Sequence, residues 1–256
     1  MNQKIKDNIY SFVDKITWGK GIPRIINGFT IRFPPKWSRY FQSDYEKENV
    51  VFIKKNLKPG AVAIDIGAHL GLMSSIMGKL GSSTGRVYSF EPTPQTFIVL
   101  QKVILLNGLS SVVLCINQAL SSLKGEMDFY VDEYEGSNAN SLVARVDRQR
   151  KSVKVQTTTL DDFVTENNFT RLDLIKVDAE GAEYQVLQGA KETLLRYKPA
   201  ITLAIHPSLI DNTKTIASIY DLLLELNYSI RWKNSVLDKS AFCSKSDFFD
   251  VHLTAQ

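Results

Sequence analysis

Two glycines and an acid lie close together between Ile64 and Gly71, in the segment Ile-Asp-Ile-Gly-Ala-His-Leu-Gly. Gly67 and Gly71 allow a tight turn and a close approach of the main chain to a cofactor, because neither carries a Cβ atom. Asp65 adds a carboxylate suited to a cationic amine or a ribose. The spacing differs from Gly-x-Gly-x-x-Gly, so it favours a cofactor that has no pyrophosphate to hold.

A second acid, Glu91, follows the next strand-forming run, Arg86–Phe90. A carboxylate has two acceptor oxygens and can therefore accept hydrogen bonds from both hydroxyls of a ribose. Each feature alone is common, since glycine turns often follow strands and an acid at a strand end is usually just solvated. The order strand, glycine turn, helix, strand and acid nevertheless predicts a nucleoside-binding site.

A third group of charges occupies the run from Leu172 to Glu183. Lys176 falls inside a predicted strand, where a charge is costly unless it is paired. Asp178 ends that strand, and Glu180 lies near the start of the next helix. Two interpretations stay open: an ion pair with acids that complement a helix dipole, or a carboxylate cluster that contacts substrate or cofactor. We favour the cluster, because the strand would end beside the glycine turn.

His206 follows the apolar run Ile201–Ile205 and would overhang the same crevice. It is a candidate general base for a hydroxyl proton, or equally a histidine satisfied by backbone groups. Together with Asp178 and Glu180 it could ligate a metal ion, but no close ligand spacing supports this, and no metal is expected. His69, in the glycine turn, is interpreted as structural or facing the cofactor.

The elements that position these residues alternate between short β-rich runs and amphipathic helices, which predicts a doubly wound, mostly parallel α/β sheet. Seven strands are predicted, at Ala61–Ile66, Arg86–Phe90, Ser111–Ile116, Leu172–Val177, Ala200–Ile205, Tyr228–Trp232 and Phe248–Leu253. Helices are predicted at Asp44–Leu57, 71–80, Pro94–Leu106, Gly181–Tyr197 and Thr213–Leu226.

The alternation pauses at Glu126–Val131 and Val153–Thr158, which predict a β-hairpin insertion with a long polar loop, Asp132–Ser152. The main domain is predicted to span residues 46–256, and residues 1–45 to form an extension that caps the substrate site. Trp37 and Tyr40 in that extension are candidates for stacking on a sugar or aromatic ring, or for packing. We expect this loop and this extension to cover the acceptor.

The composition sets the class of protein. The chain has 256 residues, 44% of them hydrophobic, which suits one large domain. A net charge of +4 is far below that of a nucleic-acid binder, so no nucleic-acid partner is expected. Cys115 and Cys243 are the only cysteines, which fits a reducing compartment. With no signal peptide and no membrane-spanning run, a cytoplasmic protein is expected.

Taken in order from about Glu46 to His206, these blocks resemble the FkbM-type methyltransferases. That family uses S-adenosylmethionine and has the Rossmann-like methyltransferase sheet. The Lys-x-Asp-x-Glu-Gly-x-Glu block that begins at Lys176 is the most specific part of the match. The other matching blocks are Asp65–Gly71, Phe90-Glu91-Pro92 with Asn107, Thr159-Leu160-Asp161 and Gly189-Ala190.

The resemblance implies S-adenosyl-L-methionine as the cofactor and O-methylation of a hydroxyl on a sugar or secondary-metabolite-like acceptor. The implied cofactor contacts, with His69 and Pro92 added from the same blocks, are Asp65, Gly67, Ala68, His69, Gly71, Glu91, Pro92, Asn117 and Ala119. The glycine-turn residues would hold the methionine end, Glu91 the ribose, and residues 117–119 would border the adenine. The implied catalytic residues are Asp178, Glu180 and His206.

The chain departs from the family at Ala204, where relatives often carry a glutamate two residues before the histidine. This departure puts an acid–histidine pair in question and makes a non-catalytic module that binds S-adenosylmethionine an alternative. An NAD-dependent oxidoreductase is a second alternative. A glycine two residues after Gly67 would have favoured it, but His69 stands there.

Overall fold

The structure is a computed structural model that describes residues 10, 12, 15–131, 151–210, 213–233 and 235–256. The strands are β1 Ile22–Ile26, β2 Phe29–Phe33, β3 Val62–Ile66, β4 Arg86–Phe90, β5 Val113–Ile116, β6 Ala119–Leu120, β7 Gly125–Val131, β8 Lys151–Thr158, β9 Leu174–Val177, β10 Ala200–Ile205, β11 Tyr228–Trp232, β12 Ser235–Val236 and β13 Phe249–Ala255. The helices are α1 Lys47–Asn56, α2 Leu72–Gly81, α3 Pro94–Leu106, α4 Leu160–Glu166, α5 Glu183–Gln188, α6 Lys191–Tyr197, α7 Thr213–Glu225 and α8 Lys239–Cys243. Two 3₁₀ turns occur at Pro35–Trp37 and Pro207–Leu209.

The central sheet has the strand order β12-β11-β13-β10-β9-β3-β4-β5. Strands β10, β9, β3, β4 and β5 are parallel, and β13 runs antiparallel between β10 and β11. The chain builds outward from β3 to β4 and β5, then returns to place β9 and β10 on the other side. The carboxyl ends of β3 and β9 therefore form the switch point where such sheets bind ligands.

This topology confirms the predicted doubly wound α/β sheet. The strand count is corrected: over the described residues the sheet has eight strands rather than seven. The additional strand is β12, a two-residue edge strand that pairs with the end of β11. So short a run carries no hydrophobic alternation, and its pairing depends on the turn that precedes it.

Successive residues of β3 point to opposite faces of the sheet and join two cores. Ala63 packs with the helices α1, α2 and α3, whereas Ile64 and Ile66 pack with α4, α5, α6 and α7. A sheet covered on both faces needs apolar residues throughout. The buried charges Asp65 in β3 and Lys176 in β9 are therefore exceptions that require partners.

The predicted helix Gly181–Tyr197 is wrong as a single element, because the chain forms α5 and α6 with a break at Gly189-Ala190. A Cβ atom at Gly189 would collide with the carbonyl oxygen of Ser121. Asp161 then caps α6 by accepting hydrogen bonds from the backbone N–H of Glu192 and of Thr193. The small-residue stripe predicted for the helix remains buried, at Ala182, Val186, Ala190 and Leu194.

The N-terminal extension contributes an antiparallel hairpin, β1–β2, that packs on the sheet domain. Ile31 and Phe33 are fully buried in the core on the α1–α3 side. Asn107 holds the hairpin by accepting a hydrogen bond from the Arg32 backbone N–H and donating one to the Arg32 carbonyl. This part of the extension is therefore tied into the main core.

The predicted hairpin insertion is confirmed, since β7 and β8 pair antiparallel. Strand β6 joins β8 in parallel to make a separate three-stranded sheet. Of the predicted polar loop Asp132–Ser152, residues 132–150 lie outside the described residues. Over the described part of the chain, no helix is both long and apolar enough to cross a bilayer.

Candidate functional site

A cavity of about 640 Å³ lies at the switch point of the sheet. All three predicted catalytic residues line it: Asp178, Glu180 and His206. Most of the predicted cofactor residues also line it: Asp65, Gly67, Ala68, His69, Glu91, Pro92 and Ala119. Gly71 and Asn117 do not. The sheet thus brings together residues from β3, β4, β9 and β10 that are far apart in the sequence.

The glycine turn has the shape that the sequence predicts. Gly67 has φ +76°, and a Cβ atom there would collide with the carbonyl oxygen of Asp178, so only glycine lets β3 and the end of β9 come this close. The backbone N–H groups of Gly67 and Ala68 both donate to the carbonyl of Phe90, at 3.0 and 2.9 Å. These two N–H groups are therefore already used within the protein, and what the turn gives a ligand is open space.

Asp65 is fully buried, and its Oδ2 accepts a hydrogen bond of 2.6 Å from the Ser74 hydroxyl. Burial raises the pKa of Asp65, and the nearby Lys176 partly opposes that rise. The other oxygen, Oδ1, has no hydrogen-bond partner among the described residues. A buried acceptor of this kind at a cavity wall is suited to a cationic donor on a ligand.

Glu91 is joined directly to the glycine turn. Its Oε2 accepts a hydrogen bond of 2.9 Å from the His69 backbone N–H, and its Oε1 accepts one of 2.9 Å from the Thr93 backbone N–H. Only 5% of Glu91 is exposed, and burial raises its pKa to about 7. The Thr93 side chain also hydrogen-bonds to this carboxylate. A carboxylate has about four acceptor positions, so the group can still accept a hydrogen bond from a ribose hydroxyl.

The two predicted cofactor residues outside the cavity lining support the site from behind. Asn117 donates from Nδ2 to the carbonyls of Glu91 and Pro92, at 2.8 and 3.0 Å, and so fixes the loop after β4. Gly71 begins α2 with φ +83°, and a Cβ atom there would come within 2.7 Å of Leu100. Its role in the structure is close packing of helices.

The predicted Lys176–Asp178 ion pair is present, with 3.1 Å between Nζ and Oδ2. Burial alone would lower the pKa of Lys176, but Asp178, Glu46 and Asp65 raise it well above its usual value. Burial likewise acts to raise the pKa of Asp178, but Lys176 and His206 hold it below its usual value. Both interpretations of this acidic run therefore hold for Asp178, because it forms an ion pair and also faces the cavity.

His206 lies among three carboxylates. Its Nδ1 is 2.8 Å from Oε1 of Glu183, and its Nε2 is 3.6 Å from both Asp178 Oδ1 and Glu180 Oε2. Burial acts to lower the pKa of His206, but the hydrogen bond and charge of Glu183 and the two other acids raise it to about 9. Burial raises the pKa of Glu180 to about 7.

The contact with Glu183 changes what the departure at Ala204 means. Ala204 is buried and brings no acid to His206, but the first residue of α5 supplies a carboxylate instead. Sequence reasoning placed Glu183 beside Glu180 in the acidic run that ends at Glu183, and in the matching block, but assigned it no contact with His206. Its place in that block was the available indication of a role, but the sequence does not show which way the Glu183 side chain points.

The close grouping of Asp178, Glu180 and His206 was not apparent from their spacing. One ligand atom from each residue lies within 4.8 Å of the others, so the three are close enough to share a divalent cation. A metal ion would have to displace the proton that the surrounding acids favour on His206, because a metal ligand must be a neutral imidazole. A proton on His206 already supplies a positive charge between the two acids.

Aromatic side chains that sequence reasoning missed complete the cavity wall. Phe41 and Tyr45 enter from the extension, Phe129 from the inserted hairpin, and Phe248 from the segment before β13. Phe248 is 55% exposed, and its ring centroid lies 5.0 Å from that of His206. The aromatic-rich composition of these segments was the available signal, but only the tertiary fold shows which rings reach the site.

Of the two aromatic residues predicted to stack on an acceptor, neither lines the cavity. The Tyr40 ring lies 5.2 Å from the ring of His69, and its edge faces Trp37 at 6.1 Å. Tyr40 therefore packs against the glycine turn, close enough to Glu180 for that carboxyl group to help raise the pKa of Tyr40. Trp37 is partly buried and packs against the core on the α1–α3 side.

A doubly wound sheet with an acid, a glycine turn and a second buried acid at its switch point defines a Rossmann-like protein that binds a nucleoside cofactor. Within that class, the chain belongs to the FkbM methyltransferase family, because the Methyltransferase FkbM domain matches residues 65–230. The predicted resemblance is therefore confirmed, and with it S-adenosylmethionine as the cofactor of the family. The alternative of an NAD-dependent oxidoreductase is not supported.

Several curated methyltransferases are similar to the chain. Methyltransferase sdnD of Sordaria araneosa is 30% identical over 164 residues, covering 54% of this chain and 63% of the relative. The 2-O-methyltransferase NoeI of Sinorhizobium fredii is 26% identical over 179 residues, covering 65% and 72%. The hexuronic acid methyltransferase AglP of Haloferax volcanii is 24% identical and covers 58% of each chain. The chain thus spans less than two thirds of sdnD and of AglP.

Solved structures with the same fold have low sequence identity. Methyltransferase FkbM of Methylobacillus flagellatus has a TM-score of 0.50 and 15% identity, covering 77% of this chain and 44% of its own. A Clostridium thermocellum protein described as an rRNA methylase has a TM-score of 0.54, 10% identity, and coverages of 84% and 97%. These neighbours confirm the Rossmann-like methyltransferase fold.

Proposed function

We propose that this chain transfers a methyl group from S-adenosylmethionine to a hydroxyl oxygen of a sugar or another small acceptor. One observation carries the proposal: a single cavity is lined by the buried Glu91, the glycine turn and the His206 cluster. The names of NoeI, a 2-O-methyltransferase, and AglP, a hexuronic acid methyltransferase, support a sugar hydroxyl as the acceptor.

The described residues fit the cofactor. In the proposal, Glu91 accepts hydrogen bonds from the ribose hydroxyls, Ala119 borders the adenine, and the unpaired oxygen of Asp65 accepts from the amino group of the methionine end. Gly67 and Ala68 leave the space in which that end lies. When bound, the cofactor supplies a methyl group on a positively charged sulfur, which is already an activated leaving group.

The protein's own task is then to align the acceptor and to remove one proton. We assign the proton to Nε2 of His206, which faces the cavity beside Asp178 and Glu180. The two carboxylates orient the acceptor by accepting hydrogen bonds from its other hydroxyl groups. Because the pKa of His206 is raised to about 9, the neutral imidazole grows more abundant as the pH rises, and the rate should rise with it.

The remaining assignments are also proposals. Residues 46–256 form the catalytic domain, and residues 1–45 cap the acceptor side, which is supported by the position of Phe41 in the cavity wall. A net charge of +4 supports a small acceptor rather than a nucleic acid. The two free cysteines support a reducing, cytoplasmic setting.

Calorimetry and a transfer assay test the proposal. Purified protein should bind S-adenosylmethionine and S-adenosylhomocysteine, and should pass a labelled methyl group to at least one member of a panel of methyl glycosides and uronic acids. A folded protein that binds neither nucleoside would refute the cofactor site. Binding of both without transfer to any acceptor would instead support the non-catalytic module.

A further inference from the structure

A carboxylate that no proposed step has used lies behind His206. Glu183 is fully buried and is not part of the cavity wall, whereas His206 is. Oε1 of Glu183 lies 2.8 Å from Nδ1 of His206 and also accepts a hydrogen bond of 3.0 Å from the Gly181 backbone N–H. Because Glu183 occupies Nδ1, the nitrogen nearer to the cavity acids is Nε2.

The backbone before α5 is shaped to bring this acid into place. Glu180 and Gly181 both adopt left-handed conformations, with φ of 48° and 99°, and they turn the chain sharply after β9. A Cβ atom at Gly181 would come within 2.8 Å of Cβ of Leu209, in the 3₁₀ turn that follows His206. The glycine therefore allows the start of α5 and the His206 loop to pack together.

Burying the Glu183 carboxylate is energetically unfavourable unless the group has a function. Oε2 of Glu183 has no hydrogen-bond partner among the described residues, and a buried acceptor without a partner is unfavourable. A glutamine or an apolar residue of similar size would avoid burying the charge. The left-handed backbone at Glu180 lies only three residues before this unpaired carboxylate oxygen, and backbone strain of that kind clusters at functional sites.

Among the described residues, three charged groups face the imidazole, each from a different element. Asp178 approaches from the end of β9, Glu180 from the turn, and Glu183 from α5, while the uncharged ring of Phe248 packs against the imidazole. Only Glu183 lies within hydrogen-bond distance. Lys176 acts on the group indirectly, since it is paired with Asp178.

We propose that Glu183 is a positioning residue for methyl transfer: its carboxylate holds the Nδ1–H of His206, aims Nε2 at the acceptor hydroxyl and stabilises the imidazolium that forms. The inference rests on the proposed function. In the transfer, the acceptor O–H bond breaks and its proton passes to Nε2. The oxygen electron pair forms the new O–CH₃ bond, and the electron pair of the broken S–CH₃ bond stays on sulfur.

The test is Glu183→Gln, which keeps the size of the side chain and one acceptor for Nδ1–H but removes the charge. The pKa of His206 is followed by NMR titration, with its ring signals assigned by their loss in His206→Asn. It should fall from about 9 by roughly one unit or more, because the buried negative charge is gone. The alkaline rise of kcat/KM, which reports the free protein, should move down by the same amount, and kcat on the plateau should fall about tenfold or more.

Two further measurements separate this role from general damage. The affinity for S-adenosylhomocysteine should stay within about twofold, since Glu183 does not line the cavity. Glu192→Gln, which changes an exposed acid on α6, should leave both the pKa and kcat unchanged. If Glu183→Gln does not fold, Glu183→Asp tests the same point, because it keeps the charge but withdraws it, and kcat should fall while the pKa stays partly raised.

An unchanged His206 pKa in Glu183→Gln overturns the proposal, and so does a shifted pKa with an unchanged pH profile of kcat/KM. Failure of the proposed function has a different signature. In that case the wild-type protein fails to bind S-adenosylhomocysteine or transfers no methyl group, even though the NMR titration still shows the Glu183–His206 pair. That result would also end the assignment of Glu183 to catalysis.

Discussion

If Glu91 binds the ribose as proposed, cofactor affinity should fall as the pH drops below about 7, because a carboxylate is a stronger hydrogen-bond acceptor than a protonated carboxyl group. Burial raises the pKa of Glu91 to about 7 in the structure. The sign follows directly: above this pH the carboxylate is present, and below it the proton removes acceptor capacity.

The size of the effect follows from the ionised fraction. At pH 6 about one molecule in eleven carries the carboxylate, so the apparent Kd should be higher than the alkaline limit by up to about elevenfold. The loss should level off at roughly 10- to 150-fold, because hydrogen bonds to a charged group contribute about 1.5–3 kcal/mol. Above pH 8 the Kd should be nearly constant.

Isothermal titration with S-adenosylhomocysteine from pH 5.5 to 8.5 measures this dependence, and two variants isolate its source. In Glu91→Gln the step near pH 7 should vanish, and the affinity at pH 8 should fall about 10- to 100-fold. The amino group of the ligand titrates equally in both proteins, so the difference reports Glu91. Asp250→Asn is the matched control, because Asp250 also lines the cavity and burial raises its pKa to about 6.

Two outcomes would refute the reasoning. A Kd that is flat across this range would show that Glu91 is either ionised throughout or does not contact the nucleoside. A step that persists in Glu91→Gln but disappears in Asp250→Asn would place the titrating contact at the other wall of the cavity. Either result would remove the ribose assignment and leave the fold as the main support for the cofactor site.

Three further predictions test other parts of the site. Gly67→Ala should destabilise the protein by about 3 kcal/mol or more in a urea titration, because residue 67 is left-handed and the added Cβ atom collides with the Asp178 carbonyl. Gly28→Ala is the control: it also has a positive φ, +84°, but open space around it, so it should cost only about 1 kcal/mol. Phe248→Ala should raise the acceptor KM about 2- to 12-fold without changing the S-adenosylhomocysteine Kd, and an unchanged KM would show that the ring does not contact the acceptor. Treatment with EDTA should leave the transfer rate within about twofold, since the protonated His206 already provides the positive charge between Asp178 and Glu180. Loss of activity that Mg²⁺ or Mn²⁺ restores would show instead that these residues hold a metal ion.

The parts of the site that the sequence predicts are those set by local geometry. The turn at Gly67 must follow a buried strand, and Glu91 must end the adjacent one, so their order along the chain places them side by side. The parallel pairing of β3 with β9 brings Asp178 to the same edge. For these residues the alternation of strands and helices determines the site, because carboxyl ends of parallel strands meet at one edge.

The parts that could not be predicted depend on single backbone angles and on packing between distant segments. The role of Glu183 depends on two left-handed residues, Glu180 and Gly181. A positive φ is uncommon for a glutamate, so the sequence does not predict it at Glu180. Phe41 and Phe248 reach the cavity from opposite ends of the chain. The helix break at Gly189 depends on contact with Ser121, which lies far away in sequence.

The distribution of buried charge follows the same division. Away from the switch point the sheet is filled by apolar side chains, yet Asp65, Lys176 and Glu183 are buried in or beside it, where each charge is costly. Among the described residues Lys176 pairs directly with Asp178, and the pKa of Asp65 stays raised mainly because its carboxylate is fully buried. A protein selected for stability alone would replace such a set with apolar residues. Because the excess of acid lies where a sulfonium, an amino group and a reacting hydroxyl would converge, its cost is best explained by a positively charged cofactor and a proton that must move.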